Sequence, residues 1–205
     1  MTDRSVILPD QAVSYTLLSM PSQPATASGR RTREALLDAG VAVAVEHGLA
    51  GLSVNRVVAA AGVAKGTFYV HFEDRDAFVD ALHERFHARV RKATEAATKG
   101  GAPGAGRLYR GATAYLDVCL EDRAVKALAL EARSDPALSG SIAKRHESFT
   151  AAAIPSFKAM GWPDTTAASQ LFAAMTAEVA VRELEAGRRL PAARRSLRRF
   201  LGETG

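Results

Sequence analysis

The 205-residue sequence has a single cysteine, a single tryptophan and few aromatics, which make up 6% of it. One cysteine, Cys119, excludes an intramolecular disulfide framework and suits a reducing cytoplasm. As a small apolar side chain Cys119 is expected in a core, not as a catalytic thiol. No apolar run approaches the roughly 20 residues of a membrane-spanning helix, so no membrane partner is expected. The opening stretch MTDRSVILPDQAVSYTLLSM lacks a basic leader, and Pro9 with Asp10 interrupts its apolar part. It reads as a flexible tail and not as a signal peptide. Strand signals are also missing, because β-branched runs are short and nothing alternates convincingly with period two. No internal repeat is present.

Charge is present but unevenly placed. The net charge is +5, with −1 over residues 1–29, +1 over 30–75, +1 over 76–181 and +4 over 182–205. The excess sits at the C-terminus, so total charge says little about any nucleic-acid site.

Apolar residues recur at helical spacing instead, and the fold class expected is all-α. Leu36, Leu37, Gly40, Val41 and Ala44 form one stripe that ends at Gly48. SVNRVVAAAG is a short second helix with Ser53 as N-cap and Gly62 as stop. KGTFYVHF is a third. RDAFVDALHERFHARVRKATEAATK is a long fourth helix, capped by Asp74. After a loop at 100–106, helical stretches are expected over about 107–119, 121–132, 139–159, 165–186 and 191–202. Breaks fall at Asp135-Pro136, Gly161-Trp162-Pro163 and Gly187, while Pro191 suits a first helical turn. Residues 1–28 read as a disordered tail.

Two short helices joined by AGVAKG suggest a helix-turn-helix, with Gly62 in the left-handed conformation. Val54, Val57, Ala61, Val63, Phe68 and Phe72 then pack inward, leaving Lys65, Gly66, Thr67, Tyr69 and His71 towards the outside. Small and hydrogen-bonding groups near a helix start are what a DNA major groove admits.

The stretch from Thr32 to Leu82 resembles the DNA-binding domain of the tetracycline-repressor (TetR) family of bacterial transcription regulators. The resemblance rests on Gly51-Leu52-Ser53-Val54, Ala61-Gly62-Val63, Gly66-Thr67-Phe68-Tyr69 and His71-Phe72, then an acidic pair and a basic residue. It implies that Lys65, Gly66, Thr67, Tyr69 and His71 face double-stranded DNA. It also implies that Ser53 and Asn55 start the second helix near a phosphate, and that Arg75 touches the DNA backbone. Arg75 stands where the family usually has lysine, and Val58 where small alanine is usual. Each residue also has a plainer reading: Tyr69 as a core aromatic, His71 as a packing histidine, Lys65 and Arg75 as solvated charges. Arg30, Arg31 and Arg33 either extend a phosphate footprint or solvate the first helix.

Two other motifs compete. HERFH, at 83–87, spells H-E-x-x-H, two histidines on one helical face with Glu84 as a base, as in zinc proteases. EARSD at 131–135 supplies the spacing of a third ligand. Against this, the apolar stripe of that helix is Phe78, Val79, Leu82, Phe86 and Val90, which leaves both histidines on a wet flank. No strand offers a substrate-binding edge. A zinc-dependent hydrolase is therefore the disfavoured alternative, separable by metal content, and no enzyme activity, metal or cofactor is expected. In GGAPGAGR, Arg107-Leu108 follows where a phosphate loop needs Lys and Ser/Thr, so it is a connection.

The C-terminal half is less specific. Helix 165–186 carries a stripe of Ala168, Leu171, Phe172, Met175 and Val179. Helix 191–202 sets Ala193, Leu197, Phe200 and Leu201 on one face and Arg194, Arg195, Arg198 and Arg199 on the other, the latter expected as a solvated exterior. The resemblance implies that these two helices form a four-helix bundle with a second subunit. Such a homodimer reads two half-sites of a palindromic operator about 34–36 Å apart. It further implies a ligand pocket, for which Tyr109, Tyr115, Cys119, Phe149, Met160, Trp162, Phe172 and Met175 are candidates. Their character favours a small hydrophobic or aromatic effector. The domains expected are a tail over 1–28, a helix-turn-helix domain over 29–75 and a ligand-binding and dimerisation domain over 76–205. The function implied is a cytoplasmic, ligand-responsive transcriptional repressor. A protein-interaction module using the arginine face is a further alternative.

Overall fold

The computed structural model describes residues 26–123, 125–126 and 136–202, with the backbone alone over 136–146. Among them are eight α-helices and no strand: α1 (Ala27–Gly51), α2 (Val54–Ala61), α3 (Lys65–His71), α4 (Arg75–Thr98), α5 (Ala105–Glu121), α6 (Pro136–Ala159), α7 (Thr165–Ala186) and α8 (Pro191–Phe200). The all-helical class is as expected. Helix α1 begins at Ala27, inside the segment expected as a tail, because the Thr26 hydroxyl accepts from the Gly29 amide at 3.0 Å. Residues 1–25 lie outside the described residues, as does most of the stretch expected as a helix over 121–132. Pro136, expected as a break, instead opens α6.

Local chemistry sets the N-terminal boundaries. Gly48 adopts φ 64°, which breaks α1 before its last short turn. Ser53 caps α2 by accepting from the Arg56 amide at 3.4 Å. At the other end Gly62 takes φ 67°, with Gly62 N–H donating to Ala59 and Val63 N–H donating to Val58. That paired closure is a Schellman motif, and it turns the chain sharply into α3. Asp74 caps α4 by accepting from the Ala77 amide at 2.7 Å.

Helices α1, α2, α3 and the start of α4 share one core of Leu36, Leu37, Val57, Phe68, Phe72, Phe78, Val79 and Leu82, among others. Phe68, Phe72 and Phe78 form a mutual ring contact with centroids 4.9–5.3 Å apart. Gly40 lets Phe78 lie directly on α1, since a Cβ there would meet the Phe78 ring at 2.5 Å. A second core joins the rest of α4 to α5, α6, α7 and α8 through Phe86, Val90, Leu116, Phe157, Phe172, Val179 and Leu197. Helix α4 therefore belongs to both cores.

Two ion-pair groups fasten these parts. On α4, Arg85 donates to Glu34 and Asp38 of α1 at 3.3 and 2.7 Å, and one turn later Arg89 pairs with Glu121 and Asp122 at the end of α5. In the body, Arg194 of α8 donates twice to Glu183 of α7, at 2.7 Å each, and once to Asp117 of α5 at 2.7 Å. Arg194 was expected on a solvated face and is in fact buried, because Glu183 lies enclosed beneath it. Burial alone would raise the Glu183 carboxyl, but hydrogen bonds from Arg194 and from the Leu190 amide prevail and hold it below the ordinary range.

Candidate nucleic-acid interface and effector cavity

The outward face of α3 follows from its two phenylalanines. Phe68 and Phe72 are buried, so the opposite side of the helix is presented outward. At about 100° per residue, Gly66 and Val70 each fall within roughly 20° of the direction opposite Phe68. Lys65 and Gly66 are exposed, Tyr69 is 50% exposed and Val70 is 79% exposed. Thr67 and His71 sit half-buried on the flank, as does Ser53, while Asn55 is exposed. Nothing lies within 4 Å of where a Gly66 Cβ would stand, so the face is bare backbone at that position, one turn before Val70. Val70 is more exposed than any other large apolar side chain among the described residues, and nothing in the sequence alone gives it a role. An apolar residue in a short helix looks like core until the register against Phe68 is fixed.

Basic residues flank both ends of this helix. Lys65 opens it, and the first turns of α1 lie beside its end: a Cβ on Gly29 would stand 3.8 Å from His71 Cε1. Arg33 holds its guanidinium 5.0 Å from the Phe72 ring centre. Arg30 and Arg31 are exposed in the same turns. The two acids in the first half of α1, Glu34 and Asp38, are engaged by Arg85.

Arg75 is used differently from what its position implied. Its Nε donates to the Leu52 carbonyl and Nη2 to the Leu49 carbonyl, both at 2.8 Å, while Nη1 pairs with Asp76 at 3.1 Å. Those donors close the turn between α1 and α2 instead of pointing at a phosphate. Arg75 thus becomes a clamp that positions the N-cap of α2.

A cavity of about 250 Å³ lies in the body between α4, α5, α6 and α7. Of the candidates, Tyr115, Phe149 and Phe172 line it. Tyr109, Cys119, Met160, Trp162 and Met175 do not. Cys119 is core, its thiol pushed up by burial. Tyr109 carries Arg198 over its ring at 5.5 Å, and Trp162 stands edge-on to Phe157 at 5.4 Å. Met160 and Met175 pack partly buried on the core. In their place α4 contributes Phe86, His87, Thr94 and Glu95, joined by Arg107, Lys126 and Ser156. Lys126 is buried and donates to the Tyr115 hydroxyl at 2.8 Å. The Ser156 hydroxyl is enclosed and has no hydrogen-bond partner among the described residues. An unsatisfied buried hydroxyl costs about 1–3 kcal/mol, which a bound polar group would relieve.

The HERFH segment divides between these places. His83 is fully buried, contrary to the wet flank expected, because α4 packs on α1 and α5 from two sides. His87 lines the cavity, its ring 5.3 Å from Phe86 and 6.1 Å from Phe149. Glu84 is exposed and accepts from Arg91 at 2.7 Å. Among the described residues no group of three or more His, Cys, Asp or Glu is placed to hold a metal. The third-ligand candidates at 131–135 lie outside the described residues.

The residues expected to join two subunits also separate. Ala168, Val179, Leu197 and Leu201 are consumed within the protomer's own core, since α7 packs on α5, α6 and α8. Ala193 and Met175 are half-buried. Leu171 and Phe200 remain 64% and 68% exposed.

The family model described as bacterial regulatory proteins, tetR family, matches residues 36–82. The chain is 37% identical over 60 residues to the HTH-type transcriptional repressor DhaR of Mycobacterium sp. (strain GP1), a match covering 29% of this chain and 30% of that protein. Among solved structures, a TetR-like transcriptional regulator from Rhodococcus sp. RHA1 aligns with a TM-score of 0.71 at 19% identity, over 83% of this chain and 93% of that one. The fatty acid degradation regulator FadR from Bacillus halodurans aligns at 0.72 and 21%, over 82% and 96%. A multidrug binding protein, EbrR, complexed with imidazole, aligns at 0.63 and 24%, over 84% and 96%. These likenesses show a shared fold across both cores. Over residues 36–82, then, the chain is similar to the tetR family of bacterial regulatory proteins, and beyond them the likeness is one of fold.

Proposed function

We propose that the protein is a transcriptional repressor that binds a palindromic operator as a homodimer and releases it when a small molecule enters the body. The observation that carries this reading is the outward face of α3. It is built on a helix-turn-helix matched by the family model, with Lys65 at one end and the α1 arginines at the other. Lys65, Thr67, Tyr69 and His71 supply polar contacts, Gly66 permits close approach, and Ser53 and Asn55 lie at the start of α2 for a phosphate. Phosphate contacts make the affinity fall steeply with salt. The repressor name of the Mycobacterium relative supports the direction of regulation.

The second copy docks on Leu171 of α7 and Phe200 of α8, the large apolar side chains those helices leave exposed. The effector fills the cavity lined by Tyr115, Phe149 and Phe172. At about 250 Å³ the cavity suits a compact molecule, largely hydrophobic or aromatic, with one polar group for Ser156. Helix α4 transmits the signal, since Phe86 and His87 touch the cavity while Phe78 and Leu82 hold the head. The coupling is of order 1–3 kcal/mol. Nothing in this mechanism calls for a metal, a cofactor or a membrane, and the protein works in the cytoplasm.

The test is selection from randomised duplex DNA at near-physiological salt, followed by sequencing of what the protein retains. A palindrome with half-sites about one helical turn apart is expected. A sequence-indifferent pool contradicts the proposal.

A further inference from the structure

We infer that Val70 reads the C5-methyl group of a thymine in each operator half-site and so sets part of the sequence preference. This rests on the proposed DNA-reading role of α3. Val70 is 79% exposed and lies opposite the buried Phe68–Phe72 edge, at the centre of the outward face. Gly66 sits one turn before it with open space above its Cα. The helix can therefore descend until Val70 is the first side chain to meet the groove floor.

Valine carries no hydrogen-bonding group. In the major groove every base edge offers donors or acceptors, and among the four standard bases only thymine also offers an apolar group. Seating Val70 on a polar edge would strip water from that edge and return nothing. Seating it on a methyl buries apolar surface on both sides. The surroundings hold it over DNA: Lys65 precedes it, and Arg30, Arg31 and Arg33 lie in the α1 turns beside the end of α3, while Glu34 and Asp38 are engaged by Arg85. Tyr69 and Thr67 flank it for polar edges, so Val70 is a specificity-determining residue among hydrogen-bonding neighbours.

The experiment uses the best duplex recovered from the randomised pool and replaces each half-site thymine in turn with deoxyuracil, which removes the methyl alone. One position per half-site should lose about fourfold in affinity, the factor that burial of one methyl supplies, and roughly 15-fold when both half-sites are changed. Val70→Ala keeps the fold, because the side chain touches solvent. It should bind the thymine duplex about fourfold more weakly per half-site and show less than about twofold sensitivity to deoxyuracil. If deoxyuracil is tolerated at every position, or if Val70→Ala retains the full sensitivity, the inference is overturned while the DNA-binding reading stands. If no specific duplex is recovered, that reading itself falls.

Discussion

Replacing Arg194 with methionine strands a charge. Glu183 is fully enclosed, and its carboxylate accepts from Arg194 Nε, Arg194 Nη2 and the Leu190 amide at 2.7, 2.7 and 2.8 Å. The variant removes two of those three bonds and the opposing charge while keeping much of the side-chain volume. Breaking one partner of a buried pair costs about 3–5 kcal/mol, mainly because the survivor stays buried and uncompensated. For a chain of this size about 2–4 °C accompanies each kcal/mol, so the thermal midpoint should fall by roughly 6–20 °C. Protein concentration must be held fixed, since the midpoint of the proposed dimer would depend on it. Asp117 keeps Arg189 at 3.1 Å and is not stranded.

The double variant Glu183→Gln with Arg194→Met isolates the cause. Glutamine still accepts from the Leu190 amide but carries no charge, so most of the lost stability should return. The pH dependence has a definite sign. Glu183 is held below its ordinary value in the folded chain. Its pairing therefore stabilises above the unfolded value near 4.3 and is lost as pH falls through the lower folded value. In Arg194→Met the penalty should shrink in acid, where the stranded carboxyl takes up a proton. Thermal melts of both variants at pH 7 and pH 4.5 read this directly. A double variant as unstable as Arg194→Met alone would refute the stranded-charge argument and point to lost packing.

Three further outcomes are expected. Tyr69→Phe and Thr67→Ala should each weaken operator binding by about 1 kcal/mol in fluorescence anisotropy with unchanged melting, and unaltered affinity in both would discredit the reading face. Gly66→Ala should stabilise the fold by about 0.5–1 kcal/mol, since its Cβ meets nothing, yet weaken DNA binding about tenfold by holding α3 off the groove. Arg75→Ala should destabilise the head by about 1–3 kcal/mol in chemical denaturation, because the Leu52 carbonyl loses its Arg75 donor and the Leu49 carbonyl is left with the Leu52 amide. A variant with native stability would return Arg75 to the DNA backbone.

Much of the head is legible in the sequence because its signals are local. Ser53 and Asp74 as caps, Gly48 and Gly62 as stops, and the Leu36-to-Ala44 stripe each depend on residues within two turns. What escaped depends on distant partners. Arg194 reads as a surface arginine until Glu183 on the preceding helix is seen beneath it, and Arg75 reads as a DNA contact until the carbonyls of Leu49 and Leu52 come within reach. The cavity was half legible. Aromatics such as Phe149 and Phe172 advertise an apolar site, whereas Thr94, Lys126 and Ser156 meet there only through the packing of four helices. His83 illustrates the opposite error: a 100° wheel places it on a flank, but α4 is covered by α1, α5 and α6 instead of by one neighbour.

In the proposed complex DNA lies on the outward face of α3. Amide hydrogen exchange of the protein, alone and with its selected duplex, tests that most directly. The prediction is slowed exchange over the first turns of α1, the start of α2 and residues 65–71, with the exposed Arg195 and Arg199 side of α8 unchanged. Protection confined to α8, with residues 65–71 exchanging as before, would contradict it and place the nucleic acid on the arginine face.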